Sequence, residues 1–331
     1  MLSFKSLTDR NFLPALTLYN EATQRGEQYN CTLDEKGFIQ LFLTPAKPGD
    51  AYFALYESSE RGFIIGHFDG GMKKFFLTTV QVAPAHRRQG IGSALINALA
   101  EEMQRFASAH DLPDPEPEIS YYNPTMIRWT IPGTEGHYHN NAQGVLLGSS
   151  AHLFFKNNGF RDTGCENTYY QRLDRYEWPT ERMAVYEERV AKAGYTIEWY
   201  DASRHTDADG LLEDLNNALW SRQIPQELSR EGGPRPLPIL SDHGKMAGFA
   251  GPIVVEETGR AWFLGVAVHS RCRGCGAATL LFNRMSLELK KAGAIYLCFF
   301  TNENNFARNI YEGAGFRIYA SWATMRRTKH H

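Results

Sequence analysis

Two segments of this chain repeat one order of residue types, and an internal repeat restricts the possible folds more than any composition does. The first runs VQVAPAHRRQGIGSALINALAEEM from Val80, the second VAVHSRCRGCGAATLLFNRMSLEL from Val266. Each leads from an apolar strand-like stretch through a basic, glycine-containing turn into a segment of helical period. FFLTTVQV precedes the first turn, and Ile91, Leu95, Ala98, Met103 and Phe106 then recur at spacings of three to five, as on an amphipathic helix. AWFLGVAV precedes the second, and Ala278, Leu281, Phe282, Met285 and Leu289 fall on one helical face after it. A second pair of motifs lies downstream: AHLFFKNNGF from Ala151 and ARNIYEGAGF from Ala307. In both, an alanine, an aromatic four residues later and a Gly-Phe pair keep one register.

A chain of 331 residues is long for a single core, and the repeat divides it into two domains. The expected division is 1–175 and 176–331, with the junction near RLDRYEWPTERM, where a strand-like stretch ending at Leu173 gives way to a helix after Pro179. Gly90 and Gly159 stand 69 positions apart and Gly274 and Gly315 only 41, so the first half carries 28 extra residues between its motifs. These are expected between about 111 and 149, where DLPDPEPE and IPGTEGHYHNNAQG have the Pro, Gly and Asn content of loops. Trp129 and Ile131 suggest that part of this insertion packs down. His137 and His139, with His152 beyond, read as polar loop positions before they read as metal ligands.

Apolar residues make up 43% and charged residues 22%, and no apolar run approaches the ~20 residues that cross a bilayer; no membrane partner is expected. A net charge of -2 gives no general attraction to nucleic acid. The N-terminal residues lack the pattern of a secretory leader. Five cysteines, odd in number and spread along the chain, suit a reducing cytoplasm and free thiols. His330 and His331 are given no role.

RRQGIG (Arg87 to Gly92) and RCRGCG (Arg271 to Gly276) place two glycines where a strand turns into a helix. The first turn of a helix leaves N–H groups without intrahelical partners at the positive end of its dipole, and bare glycine backbone lets a diphosphate reach them. A P-loop is excluded because neither turn has the lysine followed by Ser or Thr. The dinucleotide fingerprint fails too, since Leu95 and Thr279 stand where its third Gly or Ala belongs. With Arg87, Gly90 and Gly92 in one copy and Arg271, Gly274 and Gly276 in the other, the sequence resembles the GNAT acetyltransferase superfamily, twice over. The resemblance covers most of both halves.

That resemblance implies an α/β fold: two acyl-CoA-binding domains in tandem, each a mixed sheet with helices on both faces, whose fourth and fifth strands splay apart to admit a pantetheine arm. It implies that the main chain at Val266, Ala267 and Val268 pairs with that arm and that Cys272, Arg273, Gly274, Cys275, Gly276 and Ala277 wrap the diphosphate of acetyl-CoA. Val80, Gln81 and Val82, then Arg88, Gln89, Gly90, Ile91, Gly92 and Ser93, take these parts in the first half. Asn304 falls at the family's pantetheine-binding position and Tyr311 at that of the general acid. Phe155 stands at the matching position of the first half and has no proton to give, so the chemistry is expected in the second. The general base stays unassigned, with Glu256, Glu257 and Glu303 near in sequence. Cys272 and Cys275 form a CxxC without a second pair to complete a zinc site, so no metal is expected. Trp220 reads equally as a wall of the acceptor site and as a core tryptophan under a long loop.

The expected activity is acetyl-CoA-dependent N-acetylation of a small amine. The competing readings are a non-catalytic acyl-CoA sensor, and a transferase that uses another acyl donor or a hydroxyl acceptor. The residues leave the acceptor and the oligomeric state open.

Overall fold

The computed structural model describes residues 2–206 and 208–328; His330 and His331 lie outside them. The chain divides into two compact units: residues 1–167 together with 319–331, and residues 168–318. Each is described separately.

The first unit begins with β1 (Phe4–Ser6), α1 (Leu13–Gln24) and α2 (Glu35–Phe38), then β2 (Ala51–Glu57), β3 (Gly62–Asp69), β4 (Lys74–Val82) and α3 (Ile91–Ala109). β5 (Glu118–Ile119), β6 (Trp129–Thr130), β7 (Tyr138–His139), β8 (Val145–Leu146), α4 (Ser150–Asn157) and β9 (Phe160–Arg172) follow; β9 belongs to this unit as far as Asn167. Strands β1 to β4 form an antiparallel meander. All eight residues of β3 are buried, as befits a strand covered on both faces. Its side chains alternate, Ile64 packing with Leu95, Leu99 and Met103 of α3 and Phe63 and Ile65 with Leu16, Tyr19 and Phe38 of α1 and α2.

The second unit has α5 (Thr180–Lys192), β10 (Thr196–Trp199), α6 (Ala208–Leu215), α7 (Ala218–Leu228), β11 (Pro238–Asp242), β12 (Lys245–Ala250), β13 (Arg260–Ala261), β14 (Val266–Val268), α8 (Ala277–Lys291), β15 (Tyr296–Asn302) and α9 (Arg308–Gly313). From β10 onward the element order is that of the first unit. The pattern of two layers on one sheet repeats as well. Ala247, Ala250, Val266 and Val268 face α8 and α9, while Ile239, Phe249 and Ala267 face α6 and α7.

The last strand, β16 (Arg317–Arg327), departs from the expected division. From Tyr319 it belongs to the first unit, where it pairs antiparallel with β5 through Ile119↔Met325 and with β8 through Trp322↔Leu146. Trp322, Ala323 and Met325 are all buried there. Arg326 donates to Glu118 at 2.7 Å, and Lys74 reaches the same carboxylate at 3.0 Å. The expected boundary at 175 also differs, because Tyr169 and Leu173 pack with Phe282, Leu297 and Phe299 and so take residues from 168 onward into the second unit.

The inserted segment is folded. β6 and β7 pair at Trp129↔His139 and Thr130↔Tyr138, and Trp129 and Ile131 are fully buried. Trp129 donates its indole N–H to the carbonyl of Asn141 at 3.0 Å and meets Trp322 edge-on at 4.8 Å. Backbone bonds from Cys31 to Arg128 and from Thr130 to Tyr29 tie the hairpin to the segment after α1. His139 is buried against the Asn141 backbone, and His152 pairs with Asp162 at 2.7 Å. Both histidines thus have structural partners.

His67 on β3 is 2% exposed and shares its Nδ1 with the hydroxyls of Thr78, at 2.8 Å, and Thr125, at 3.2 Å. Burial pushes its pKa down to about 4. Between about pH 6.5 and 4 the unfolded chain therefore binds a proton that the folded unit refuses, so stability falls as pH falls through that window, by roughly 3 kcal/mol at its lower end. Urea unfolding of the first unit at pH 7 and pH 4.5, for the native chain and His67→Gln, is expected to show a smaller acid loss in the variant. An equal loss in both would remove His67 as its source.

Candidate acyl-CoA site

In each unit the fourth strand meets the fifth only at its start. β4 pairs in parallel with β5 at Phe76↔Glu118 alone, leaving the edge from Leu77 to Val82 unladdered by β5. In the second unit the same strand is interrupted. β13 pairs in parallel with β15 at Arg260↔Tyr296 and Ala261↔Leu297, whereas among the described residues β14 pairs with β12 alone, at Ala267↔Phe249 and its neighbours. Between them Gly265 has φ +152°, a conformation that side chains disfavour. Val80 to Val82 and Val266 to Val268 thus carry, opposite the edge bonded to β3 or β12, a main-chain edge without a ladder to the fifth strand.

The turns that follow are built alike, at an offset of 186 positions. Arg87 Nε–H donates to the carbonyl of Val82 at 2.9 Å and Arg273 Nε–H to that of Val268 at 3.4 Å. A helical turn follows each strand, at Pro84–His86 and Ser270–Cys272. The glycine capping each long helix is left-handed, Gly90 at φ +79° and Gly276 at φ +88°. The first intrahelical bonds close at Ala94 N–H to Gly90 O and Leu280 N–H to Gly276 O, so the amides before them are unused by the helix. The equivalent residues are therefore Arg87-Gly90-Gly92 and Arg273-Gly276-Ala278. This moves the second motif two positions from its expected start at Arg271, whose guanidinium pairs with Asp242 at 3.2 Å. Arg271-Gly274-Gly276 fits the same short pattern, and only the backbone separates the two registers.

Other contacts hold the second turn. Asp214 accepts from the Ser270 N–H at 2.7 Å and from its hydroxyl. The ring of Tyr186 on α5 lies where a Cβ of residue 276 would stand, while a Cβ on Gly274 would meet open space. The Cys272 thiol beside Tyr195 pushes the phenol up to about 12. Cys272 is buried, and Cys275 Sγ lies 3.3 Å from the Cys272 carbonyl; both thiols are free. Gly276→Ala is expected to lower the melting temperature by several degrees more than Gly274→Ala, since both carry left-handed strain but only the former drives a methyl into Tyr186. Thermal unfolding of the two variants measures this directly.

In the first unit Gly92 packs under Phe154, a Cβ there lying 3.0 Å from the ring. Arg87 is bound to Glu27 at 2.6 Å, and this guanidinium, ahead of Arg25, holds the Glu27 carboxyl down at about 2. Gln89 donates to the Ala85 carbonyl at 3.3 Å, and Arg88 has φ +61°.

Tyr311 lies on α9, 6% exposed. Its ring meets those of Phe299 at 4.6 Å, Phe282 at 5.0 Å, Tyr169 at 5.7 Å and Phe263 at 6.4 Å. Burial raises its pKa well above the usual phenol range, and the nearby Tyr169 adds to this. Phe155, at the matching place on α4, is 6% exposed and packs on Phe160. Asn304 is exposed in the turn after β15, its N–H donating to Asn302 Oδ1 at 3.1 Å. Of the carboxylates near in sequence, Glu256 pairs with Arg260 at 2.5 Å, and Glu257 and Glu303 are exposed. Trp220 lies against Gly265, 2.8 Å from the position of a Cβ, and donates its indole N–H to the Leu264 carbonyl at 3.1 Å.

Two family profiles match this arrangement: an acetyltransferase (GNAT) domain over residues 48–162 and the acetyltransferase (GNAT) family over 166–316. The chain belongs to the GNAT acetyltransferase family. It is accordingly an acyltransferase with two GNAT domains in tandem. Three solved structures share the fold of this GNAT protein. One is a GCN5-related glucosamine N-acetyltransferase region of a fungal multi-domain GH3 beta-N-acetylglucosaminidase (TM-score 0.61, 13% identity, 98% of this chain and 38% of that one). A second is a GCN5-related N-acetyltransferase from Sphaerobacter thermophilus (TM-score 0.60, 15% identity, 98% and 95%). The third is a tandem GNAT protein from the clavulanic acid biosynthesis pathway (TM-score 0.53, 16% identity, 100% of both). The GNAT chain thus spans about two fifths of the fungal protein. No curated protein sequence matches it. None of its described helices is long and apolar enough to cross a membrane.

Sequence reasoning missed Tyr186, Tyr195 and Asp214. Each acts on the second turn from far along the chain, where no local motif marks it.

Proposed function

We propose that the second GNAT unit transfers the acetyl group of acetyl-CoA to the amine of a small molecule, with Tyr311 as general acid, and that the first unit lacks this chemistry. The observation that carries the reading is the conjunction, within residues 168–318, of an opened strand edge at Val266–Val268, a turn of unused amides capped by Gly276, and a phenol on the helix after β15.

The residues fit the donor they would hold. The edge of β14 suits the amides of a pantetheine arm, and the amides from Cys275 to Thr279, with Arg273 beside them, suit a diphosphate at a helix N-terminus. Acetyl-CoA, when bound, supplies an activated acyl thioester. The buried Tyr311 hydroxyl keeps its proton at neutral pH and places it at the departing sulfur. Trp220, packed on Gly265, serves as the wall against which the acceptor's body rests. The amine arrives neutral, and the base that makes it so has no assigned residue.

In the first unit the amides after Arg87 offer the same cradle. Phe155 removes the acid, and Glu27 competes with a diphosphate for Arg87. This unit is therefore read as a binding or structural partner.

The test is acceptor-dependent release of CoA thiol across a panel of primary amines. Release with at least one amine, above the rate of thioester hydrolysis, supports the reading. Tight acetyl-CoA binding with no release across the panel favours the sensor reading.

A further inference from the structure

The second unit carries an open pocket of about 270 Å³ between α5, β10 and α8, with no residue of β14 in its lining. Helix α5 stands outside the repeated order of elements, which resumes at β10, so this cavity is an addition to the domain. We propose that it is a regulatory site for a small aromatic ammonium compound, and that its occupancy is read by the diphosphate turn.

The walls define the ligand class. Trp178 and Tyr195 contribute aromatic surface, and Val190, Ile197 and Leu280 aliphatic surface. Enclosed apolar cavities of ~150 Å³ already hold benzene, and this more open pocket has room for a ring with a short arm. The two charged groups on its lining are Glu187 and Arg284. Arg284 is already engaged by Glu288 at 3.0 Å. Glu187 is exposed and has no ion-pair partner among the described residues. The charge on offer is therefore negative, and an indole ring close by adds a face that favours a cation.

The link to the turn is direct. Tyr186, adjacent to Glu187 on α5, has its ring on Gly276, and Tyr195, itself a wall of the cavity, packs against the cluster that holds Cys272. A ligand that reorients Tyr195 or shifts α5 acts on both contacts. Coupling between two such sites is reciprocal. This part of the inference rests on the turn being the acetyl-CoA site; binding in the cavity does not.

The test uses the full chain and N,N-dimethyl-2-phenylethylamine, a tertiary amine that amide-forming transfer cannot consume, as probe, with phenylacetate as the control of opposite charge. Calorimetry without acetyl-CoA is expected to show binding of the amine and not of the acid, weakened at least tenfold in Trp178→Ala and in Glu187→Gln. Saturating probe is then expected to change the acetyl-CoA dissociation constant at least fivefold in the native chain and not in the variants. Both variants are expected to keep the basal turnover, because neither residue belongs to the transfer site. Absence of amine binding, or binding that survives both substitutions and so marks the acceptor cleft, overturns the proposal. So does an acetyl-CoA affinity indifferent to a probe that binds the cavity. A native chain that binds the probe but no acetyl-CoA defeats the transferase reading instead, and the two failures are told apart by the first titration.

Discussion

Tyr311→Phe is expected to lower kcat by a factor of 10² or more while leaving the affinity for acetyl-CoA within about twofold, the range that loss of a positioned acid produces. The ring survives this substitution, and with it the contacts to Phe263, Phe282 and Phe299. The stability cost should therefore stay near or below about 1 kcal/mol, which separates lost chemistry from lost folding. A pH profile adds a second readout. Because burial holds the phenol proton above the ordinary range, kcat/KM should rise as the acceptor amine deprotonates and show no alkaline fall below about pH 10. Full activity in the phenylalanine variant would leave Tyr311 as a core aromatic, and the acid would have to be sought elsewhere.

Truncation after Ile318 is expected to unfold the first unit, although the cut lies more than 150 positions from its last N-terminal residue, Asn167. Residues from Tyr319 supply Trp322, Ala323 and Met325 to its interior and Arg326 to Glu118. Their loss strips the ladder from β5 and β8, removes the edge contact of Trp129, and leaves Glu118 with Lys74 alone. Loss of the Trp322 side chain alone, by Trp322→Ala, should cost roughly 3–5 kcal/mol. Removing the whole strand exceeds the ~5–15 kcal/mol that hold a typical domain together. Hydrogen exchange measured across β2 to β4 should show their protection lost in the truncated chain. Retained protection there would mean that the first unit folds on its own.

The repeated order of strand, turn and helix was legible because each copy carries its own apolar period and its own glycines. Two features escaped. At the second turn the arginines at 271 and 273 both precede a glycine by three positions, so a short pattern accepts either. Only the left-handed cap at Gly276 and the Arg273 to Val268 bond select one. At the C terminus, RIYASWATMRR announces a strand and says nothing about which sheet it completes. The difference between Tyr311 and Phe155, on which the proposed division of labour rests, was readable because a single hydroxyl distinguishes them. The contact of Tyr186 with Gly276 was not, since it joins residues 90 positions apart through tertiary packing.

The central claim, that the second turn holds the acyl donor, is tested most directly by calorimetric titration of acetyl-CoA into the native chain, Ala278→Glu and Ser93→Glu. These substitutions set a negative charge at the start of α8 or of α3 and avoid the glycine that Tyr186 covers. The account predicts that Ala278→Glu weakens binding to the second unit at least tenfold and that acceptor-dependent turnover falls with it, while Ser93→Glu leaves turnover in place. A folded native chain that takes up no acetyl-CoA, or an Ala278→Glu variant that binds and turns over as before, would contradict it.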